Sequence, residues 1–528
     1  MEFPKQKKLN TIANLIKKIP VSVYLFVPAL LVLLFYNQVA NMRQVIDEYS
    51  VDFLSRAYWG FALLLIAGFL LTAYMLYIRN IQIHTAFLIV GSVVGFTYLF
   101  LTFNSTPDAP AHFQTSYAYS NIILGHPMHS IRSADAHAMG FFYGISLSDY
   151  INLNATLFNG ADNYEIISHR LIIHGLNNWW YYVSALGITV ARLLGGSTTM
   201  LFFSAGLFNL GLFITGTYFA IKIMPTAKML IFCVALFPTT MNQATSYSPD
   251  NTINVLSFLL IAMIFYLVKK VSDDEEIKIK EAVLLCIIVP LTLATKGGVY
   301  FPLIGLLLLI FLARRKGEKL PKTHLYMFIG VAVTLTAVYL WKTLGAILWD
   351  IGGDQYLPHV GVNTRSLAQI IRNPIETAYI SINTLVMDGE NHLMEAIGSG
   401  TGWPWREFPV RHTSILFAFI FIAVLSVIDI EMKKKQRIII AVVTILSLLL
   451  IYLSMLLIFT PNYFIHIVGV QGRYLTPLLP LLFLLLAGVP WLHVKRDISK
   501  GLIIALYSVS ILSMLTNFNS FIEIYART

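Results

Sequence analysis

The sequence has little cysteine and little charge. Two of its 528 residues are cysteines, Cys233 and Cys286, and both lie within apolar runs. The chain therefore offers neither a disulfide framework nor a CxxC metal-binding pattern. Charged residues make up 12% of the chain, which is about half of the roughly 25% usual in soluble globular proteins. This composition excludes an ordinary water-soluble enzyme.

Long apolar runs are abundant instead. The hydrophobic fraction is 57%, and the runs are about twenty residues long, the length at which a helix crosses a hydrocarbon core of about 30 Å. The sequence predicts an all-α polytopic membrane protein with about 13 transmembrane helices. Their predicted positions are 21–40, 57–78, 82–101, 200–221, 229–245, 252–269, 282–296, 298–313, 324–345, 413–431, 437–458, 475–493 and 501–518.

The stretch 174–194 is nearly long enough to be a further span. If it crossed the membrane, the basic clusters of the later loops would lie opposite the basic N-terminus, against the positive-inside rule. If it lies flat, every basic cluster is cytoplasmic. Its start, 177–182, combines amide and aromatic side chains, as helices at a membrane interface do. We therefore predict an interfacial helix here, with the N-terminus of the chain inside and its C-terminus outside.

The net charge of +10 follows from this topology. The predicted cytoplasmic segments carry 24 Lys/Arg and 10 Asp/Glu, and the outer segments carry 13 and 17, which gives +14 inside and −4 outside. The basic excess therefore orients the chain in the bilayer and does not indicate a nucleic-acid partner. The two long loops, about 102–199 and 346–412, fall on the outer face.

The first outer loop opens with a carboxylate and a histidine close to the membrane surface. Asp108 and His112 have the spacing and position of a general base and its neighbour acting on a substrate held at the interface. The alternative is that Asp108 caps a short helix beginning at Ala109 or Pro110, since Asp before Pro is a common helix start.

A divalent metal is a candidate cofactor at a second group in the same loop, although no cofactor is required by the sequence. The spacings H-x-x-H and D-x-H suit metal ligation, but histidines are also ordinary polar residues of exposed loops. The candidate ligands are His126, His129, Asp135 and His137.

Three further outer positions carry charge next to predicted spans. Asp250 follows Ser248 and Pro249, so it either belongs to a helix start or has a functional role. Lys296 either extends its charge toward the interface or binds a lipid phosphate. Arg473, followed by Tyr474, is unfavourable at a helix start and on the outer side, so it either grips a phosphate or forms a structural ion pair.

The second outer loop mixes carboxylates with aromatic side chains. This combination is typical of carbohydrate-binding surfaces, and interfacial packing explains the tryptophans equally well. The candidate substrate-binding residues are Asp388, Glu390, Trp403 and Trp405.

Five motifs together resemble a known bacterial family, the domain-of-unknown-function 2142 membrane proteins, which is similar to the GT-C class of membrane glycosyltransferases. The resemblance begins near residue 82 and runs to the end, so residues 1–80 are expected to add two transmembrane helices to a GT-C-like module over 81–528. The motifs are PDAPAHF (107–113), HGLNNWWYYVSALGITVARLLGG (174–196), SPDN (248–251), TKGGVYFPL (295–303) and QGRYLTPLLPLL (471–482).

The resemblance implies a transferase that takes a sugar from a polyprenyl-phosphate-linked donor. It places the catalytic acid at Asp108, although Ala109 stands where the family's second acid is expected. Asp108, alone or with His112, would deprotonate the acceptor, and Arg473, Lys296 and Tyr474 would bind the donor phosphate.

The expected product is a modified cell-surface glycan, formed with inversion on the outer face of a bacterial cytoplasmic membrane. Two alternatives remain. A transporter or flippase of lipid-linked saccharides would need an outer cationic site but also charges near the bilayer midplane and repeated halves. A non-catalytic membrane binding protein would need no outer base.

Overall fold

The chain is mostly helical, as expected of an all-α membrane protein. The computed structural model describes residues 18–20, 23, 27–41, 52–101, 106, 108–136, 139, 156–173, 178–293, 295–313, 329–330, 332–333, 335–336, 356–357, 362–399, 417–418, 420–422, 424–425, 430, 432–487 and 498–526. The helices in these ranges are α1 (Val27–Asn41), α2 (Asp52–Tyr77), α3 (Ile83–Leu101), α4 (Ala109–Leu124), α5 (Tyr181–Leu193), α6 (Thr198–Ile223), α7 (Lys228–Ala235), α8 (Pro238–Ala244), α9 (Asp250–Ser272), α10 (Ile279–Leu293), α11 (Leu308–Leu312), α12 (Leu367–Arg372), α13 (Pro374–Met394), α14 (Lys434–Ile458), α15 (Leu479–Leu486) and α16 (Ser499–Ala526).

Short elements connect these helices. Two small antiparallel sheets pair β1 (Ser130–Arg132) with β2 (Ile166–Ser168) and β3 (Tyr356–Leu357) with β4 (Val362–Asn363). The 3₁₀ turns are Ser133–Asp135, Lys296–Gly298, Phe301–Leu307, Gly472–Tyr474 and Thr476–Leu478, and a π-helical turn follows α13 at Glu395–Ser399.

Within the described residues, six helical segments are long and apolar enough to cross a membrane. Each coincides with a predicted span to within a few residues, because a long run without charge leaves the chain few alternatives to a buried helix. The six segments are Tyr58–Tyr77, Ile83–Leu101, Thr198–Ile223, Asp250–Ser272, Lys434–Ile458 and Ser499–Thr516.

The predicted span 229–245 is not one continuous helix. It consists of α7 and α8, and Pro238 starts the second helix, where its missing N–H and fixed φ are tolerated. Apart from Lys228, every residue of both helices is buried in the protein. Residues 298–313 are likewise divided between a 3₁₀ turn and α11. The predicted spans at 324–345 and 413–431 lie mostly outside the described residues.

Helix α6 lies at the centre of the described core. It packs against α3, α5 and α9, and α5 also packs against α4. At the crossing of α5 and α6 the backbones are in close contact, since a Cβ on Gly187 would lie 2.3 Å from the carbonyl oxygen of Ser204. Small residues at helix crossings are typical of membrane proteins, where close packing replaces the hydrophobic effect.

A buried ion pair fixes the segment after α4. Arg132 Nε lies 2.7 Å from Asp135 Oδ2, and both side chains are almost completely buried. Tyr117 donates to the same carboxylate at 2.7 Å, and Thr198 donates to its other oxygen at 2.6 Å. These bonds join α4, β1 and the start of α6. They thereby fix the path of the segment that follows the C-terminal end of α4.

Candidate functional site

Four charged side chains from four separate parts of the sequence meet in the structure. Asp108 directly precedes α4, and Asp250 is the first residue of α9. Lys296 lies in the 3₁₀ turn after α10, and Arg473 lies in the 3₁₀ turn that leads towards α15. We call these four residues the charge cluster.

The four side chains form a continuous chain of ion pairs with alternating charge. Asp108 Oδ2 lies 3.3 Å from Arg473 Nη2, and Arg473 Nε lies 3.3 Å from Asp250 Oδ2. Lys296 Nζ pairs with the remaining oxygen of Asp250. Two carboxylates and two cations give the cluster a formal charge of zero.

Exposure distinguishes the two carboxylates. The Asp250 side chain is 2% exposed and contacts both cations, whereas the Asp108 side chain is 51% exposed and contacts Arg473 alone among the ion pairs described. Arg473 itself is 4% exposed. Asp250 therefore acts as the internal counterion that keeps two cations in place, and Asp108 is the carboxylate that a molecule outside the protein can reach.

The backbone is strained at both ends of the cluster. Asp108 has φ of 60° and Lys296 has φ of 44°, and these are two of the five non-glycine residues with positive φ in the described part of the chain. Such conformations cost about 1–3 kcal/mol and persist where surrounding contacts enforce them, most often at functional sites.

The helix start expected at Ala109 or Pro110 is confirmed, since α4 begins at Ala109 and Asp108 is the residue before it. The capping role itself is not found, because the Asp108 side chain makes no capping hydrogen bond and pairs with Arg473 instead. The helix-start signal at 248–250 is confirmed, since α9 begins at Asp250 and Ser248 Oγ accepts from the Asp250 N–H at 3.2 Å. Asp250 combines this position with its place in the charge cluster.

An aromatic ring covers the cationic side of the cluster. Lys296 Nζ lies 3.8 Å from the centroid of the Tyr474 ring, and Arg473 Cζ lies 5.4 Å from it. The Tyr300 hydroxyl donates to the backbone carbonyl of Tyr474 at 2.8 Å, which fixes this turn against the segment that carries Lys296. Cation–π contact of this kind adds to the stabilisation of a partly desolvated cation.

His112 and Tyr181 lie beside the carboxylates. His112 Nδ1 is 2.7 Å from the Tyr181 hydroxyl, and this contact joins the first turn of α4 to the start of α5. Burial raises the pKa of Tyr181, and the negative charges of Asp250 and Asp108 raise it further. The structure thus adds Tyr181 to the residues around Asp108. The sequence suggests Tyr181 only as part of an interfacial helix.

The second long loop supports the turn that carries Arg473. The Gly472 N–H donates to Glu395 Oε2 at 2.8 Å. A Cβ on Gly472 would lie 2.3 Å from the backbone nitrogen of Ala396 and 2.5 Å from the carbonyl oxygen of His392. A glycine is required here because the end of α13 packs directly on the turn. Sequence reasoning missed this role of Glu395 and Gly472, since 77 residues separate them.

The remaining carbohydrate-binding candidates lie outside the chain of ion pairs. Asp388 and Glu390 are on α13, where Asp388 is half-buried and Glu390 is exposed. Trp403 and Trp405 lie outside the described residues.

The metal candidates do not assemble within the described residues, where no group of three or more potential ligands is found. The two oxygens of Asp135 accept from Arg132, Tyr117 and Thr198, so this carboxylate has a structural role. His129 Nδ1 accepts from the backbone N–H of Leu171. His126 lies in the turn after α4, and His137 lies outside the described residues. The choice of Asp135 as a ligand is therefore wrong.

A family model described as a predicted membrane protein, DUF2142, matches residues 164–482, which is more than half of the chain. The match includes Asp250, Lys296, Tyr474 and Arg473 but not Asp108. No curated protein and no solved structure matches the chain.

Proposed function

The chain belongs to the DUF2142 family of predicted membrane proteins, and from the charge cluster built largely by its matched residues we propose that it is a membrane glycosyltransferase. It transfers a sugar from a polyprenyl-phosphate-linked donor to a hydroxyl of a cell-surface glycan. Asp108 is the base, and Arg473 and Lys296 bind the phosphate.

One observation carries this proposal. Asp108 and Arg473 are 365 residues apart in sequence, yet their side chains are in contact at 3.3 Å. A half-exposed carboxylate beside a buried guanidinium provides, in one place, a proton acceptor and an anion-binding group. A site that only transports or binds a lipid phosphate needs the cation, but it has no use for the exposed base.

The proposed reaction is a single displacement. The acceptor oxygen attacks the anomeric carbon and transfers its proton to Asp108. The bond between that carbon and the phosphate oxygen breaks, and the electron pair leaves with the polyprenyl phosphate. Attack from the side opposite the phosphate inverts the anomeric centre.

Electrostatic stabilisation of the leaving phosphate is the main contribution of the cluster. The additional negative charge that develops on the phosphate is met by cations that Asp250 already holds in position, so little reorganisation is needed. Asp250 also supplies a second carboxylate close to Asp108, although Ala109 stands where the family's second acid is expected. The site therefore has two acids, each at the start of a separate helix.

His112 and Tyr181 position the base in this proposal. Their hydrogen bond at 2.7 Å fixes the first turn of α4 against α5, directly after Asp108. His112 can also take the proton from Asp108 after transfer, because its imidazole is the side chain best suited to proton exchange near neutral pH.

The wider architecture belongs to the same proposal. We propose a GT-C-like fold of about 13 spans, with α5 at the membrane interface and the cluster on the outer face of a bacterial cytoplasmic membrane. The apolar side chains Tyr182, Leu186 and Leu193 are exposed along one side of α5, which supports contact of this helix with lipid.

The test compares Asp108→Asn with Asp162→Asn, a matched change at an exposed acid outside the cluster. Both variants are expressed in cells that lack the chromosomal gene, and both the surface glycan and the lipid extract are analysed by mass spectrometry. We expect Asp108→Asn to lose the sugar from the glycan and to accumulate a polyprenyl-phosphate-linked sugar. Asp162→Asn should match the wild type.

Unchanged glycan in the Asp108→Asn cells would refute the proposed base. If the lipid-linked sugar accumulates on the cytoplasmic side of the membrane instead of the outer side, the chain moves the lipid and is not a transferase.

A further inference from the structure

Helix α13 presents an apolar face that no described part of the protein covers. Ile375, Ile382 and Val386 are 85%, 62% and 79% exposed and recur at helical spacing along one side. Tyr379 and Leu385 extend the same face and are also more than half exposed. Soluble proteins rarely present a contiguous apolar surface of this kind to water.

The length of the uncharged part of α13 indicates what covers it. Between Glu376 and Asp388 there are eleven residues, 377–387, and none of them is charged. At 1.5 Å per residue this segment is about 16 Å long, which is close to half of a hydrocarbon core of about 30 Å. It is too short to cross a bilayer and suits one leaflet.

The apolar face of α13 continues onto a helix that is long enough to span the membrane. An apolar groove of about 510 Å³ lies between α13 and α14, with Leu385 on one wall and Ile445 and Leu449 on the other. The two residues of α14 are 54% and 55% exposed, as expected of positions that face lipid. Thr377 and Ser381 complete the α13 wall, so the apolar surface of the groove comes from Leu385 and mainly from α14.

The floor of the groove is formed by the segment that directly follows Arg473 of the charge cluster. Leu475, Leu478 and Leu479 line it, and Arg473 lies two residues before the first of them. The groove is too small for another helix, because a cylinder about 10 Å wide and 510 Å³ in volume is about 6 Å long, or about four residues. An extended hydrocarbon chain fits these dimensions.

We infer that the apolar face of α13 lies in the hydrocarbon of one membrane leaflet and that a lipid chain occupies the groove between α13 and α14. The segment that the sequence assigns to an outer loop thus contains a membrane-embedded helix. The inference rests on exposure, length and continuity with α14, and it holds whether or not the chain is a transferase.

The shortage of cysteine allows a direct test by site-specific labelling. Cys233 is buried, and Cys286, which is partly exposed, is replaced by Ser. Single cysteines are then introduced as Val386→Cys on the apolar face, Leu448→Cys in the groove and Asp162→Cys as an aqueous control. Each is labelled with a bimane fluorophore and reconstituted into phosphatidylcholine vesicles with or without brominated chains.

We expect the labels at 386 and 448 to lose at least half of their fluorescence in brominated vesicles and to resist aqueous iodide. The label at 162 should show the opposite behaviour. Quenching by iodide at 386, or no quenching by brominated chains at 448, overturns the inference. Protection of position 386 from both quenchers, together with a cross-linked dimer through Val386→Cys, would mean that a second copy covers α13.

Discussion

Removal of Asp250 should destabilise the protein far more than removal of Asp108. In Asp250→Asn, the cations Arg473 and Lys296 lose a common counterion inside the protein, and Arg473 keeps only Asp108 among its described ion-pair partners. At 3.3 Å the Arg473 pair alone corresponds to about 5 kcal/mol of Coulomb energy at an effective dielectric constant of about 20. Loss of one partner from a buried pair typically costs about 3–5 kcal/mol.

We therefore expect Asp250→Asn to lower the free energy of unfolding by about 3–5 kcal/mol. Asp108→Asn should change it by no more than about 1 kcal/mol, because the side chain is half-exposed and water screens its pair. The measurement is unfolding by titration with SDS in mixed micelles, followed by circular dichroism. Asp108→Asn, although stable, should be inactive.

A second substitution tests the electrostatic cause. Lys296→Met removes one of the two cations that Asp250→Asn leaves without its counterion, so the double variant should be more stable than the sum of the two single effects predicts. We expect a coupling energy of at least about 1 kcal/mol between these contacting residues. Equal stability of Asp250→Asn and wild type, or additive effects in the double variant, would refute the assigned role of Asp250.

Two further predictions concern the supports of the site. Gly472→Ala should lower the free energy of unfolding by about 1–3 kcal/mol and reduce activity, because the new Cβ meets the backbone of Ala396. The control is Gly389→Ala in α13, where the Cβ meets open space and the change should be neutral or stabilising. Thermal unfolding of both variants measures the difference. Tyr117→Phe should lower the free energy of unfolding by about 1–3 kcal/mol, because it removes a buried donor to Asp135. Tyr164→Phe removes an exposed hydrogen bond and should lower it by less than about 0.5 kcal/mol. A Tyr117→Phe variant as stable as wild type would contradict the role of the Asp135 network.

Six of the 13 predicted spans coincide with long apolar helices in the described part of the chain, because the signal for such helices is local. The predicted span at 82–101 and the observed helix Ile83–Leu101 differ by one residue at the start. The break at Pro238 was harder to predict, since apolar residues continue on both sides of it and the run as a whole is long enough to span. Periodicity alone cannot distinguish two short buried helices from one spanning helix.

The composition of the site was partly predictable, but its pairing was not. Outer cations next to spans require an explanation, which singles out Lys296 and Arg473, and a carboxylate four residues before a histidine at the membrane surface singles out Asp108. The partners of these residues depend on how helices distant in sequence pack together. Asp250 illustrates the limit: a helix-start pattern accounts for its place in the sequence, and only the fold brings two cations to its carboxylate.

The zero formal charge of the four-residue cluster has a consequence for the order of events in the proposed reaction. A phosphodiester donor brings one negative charge, and a fully ionised phosphate monoester leaves with two, while the proton gained by Asp108 changes the protein side from zero to +1. The total therefore stays at −1 throughout the chemical step. In the proposed reaction the cluster returns to zero charge only after both the phosphate product and the proton on Asp108 have left.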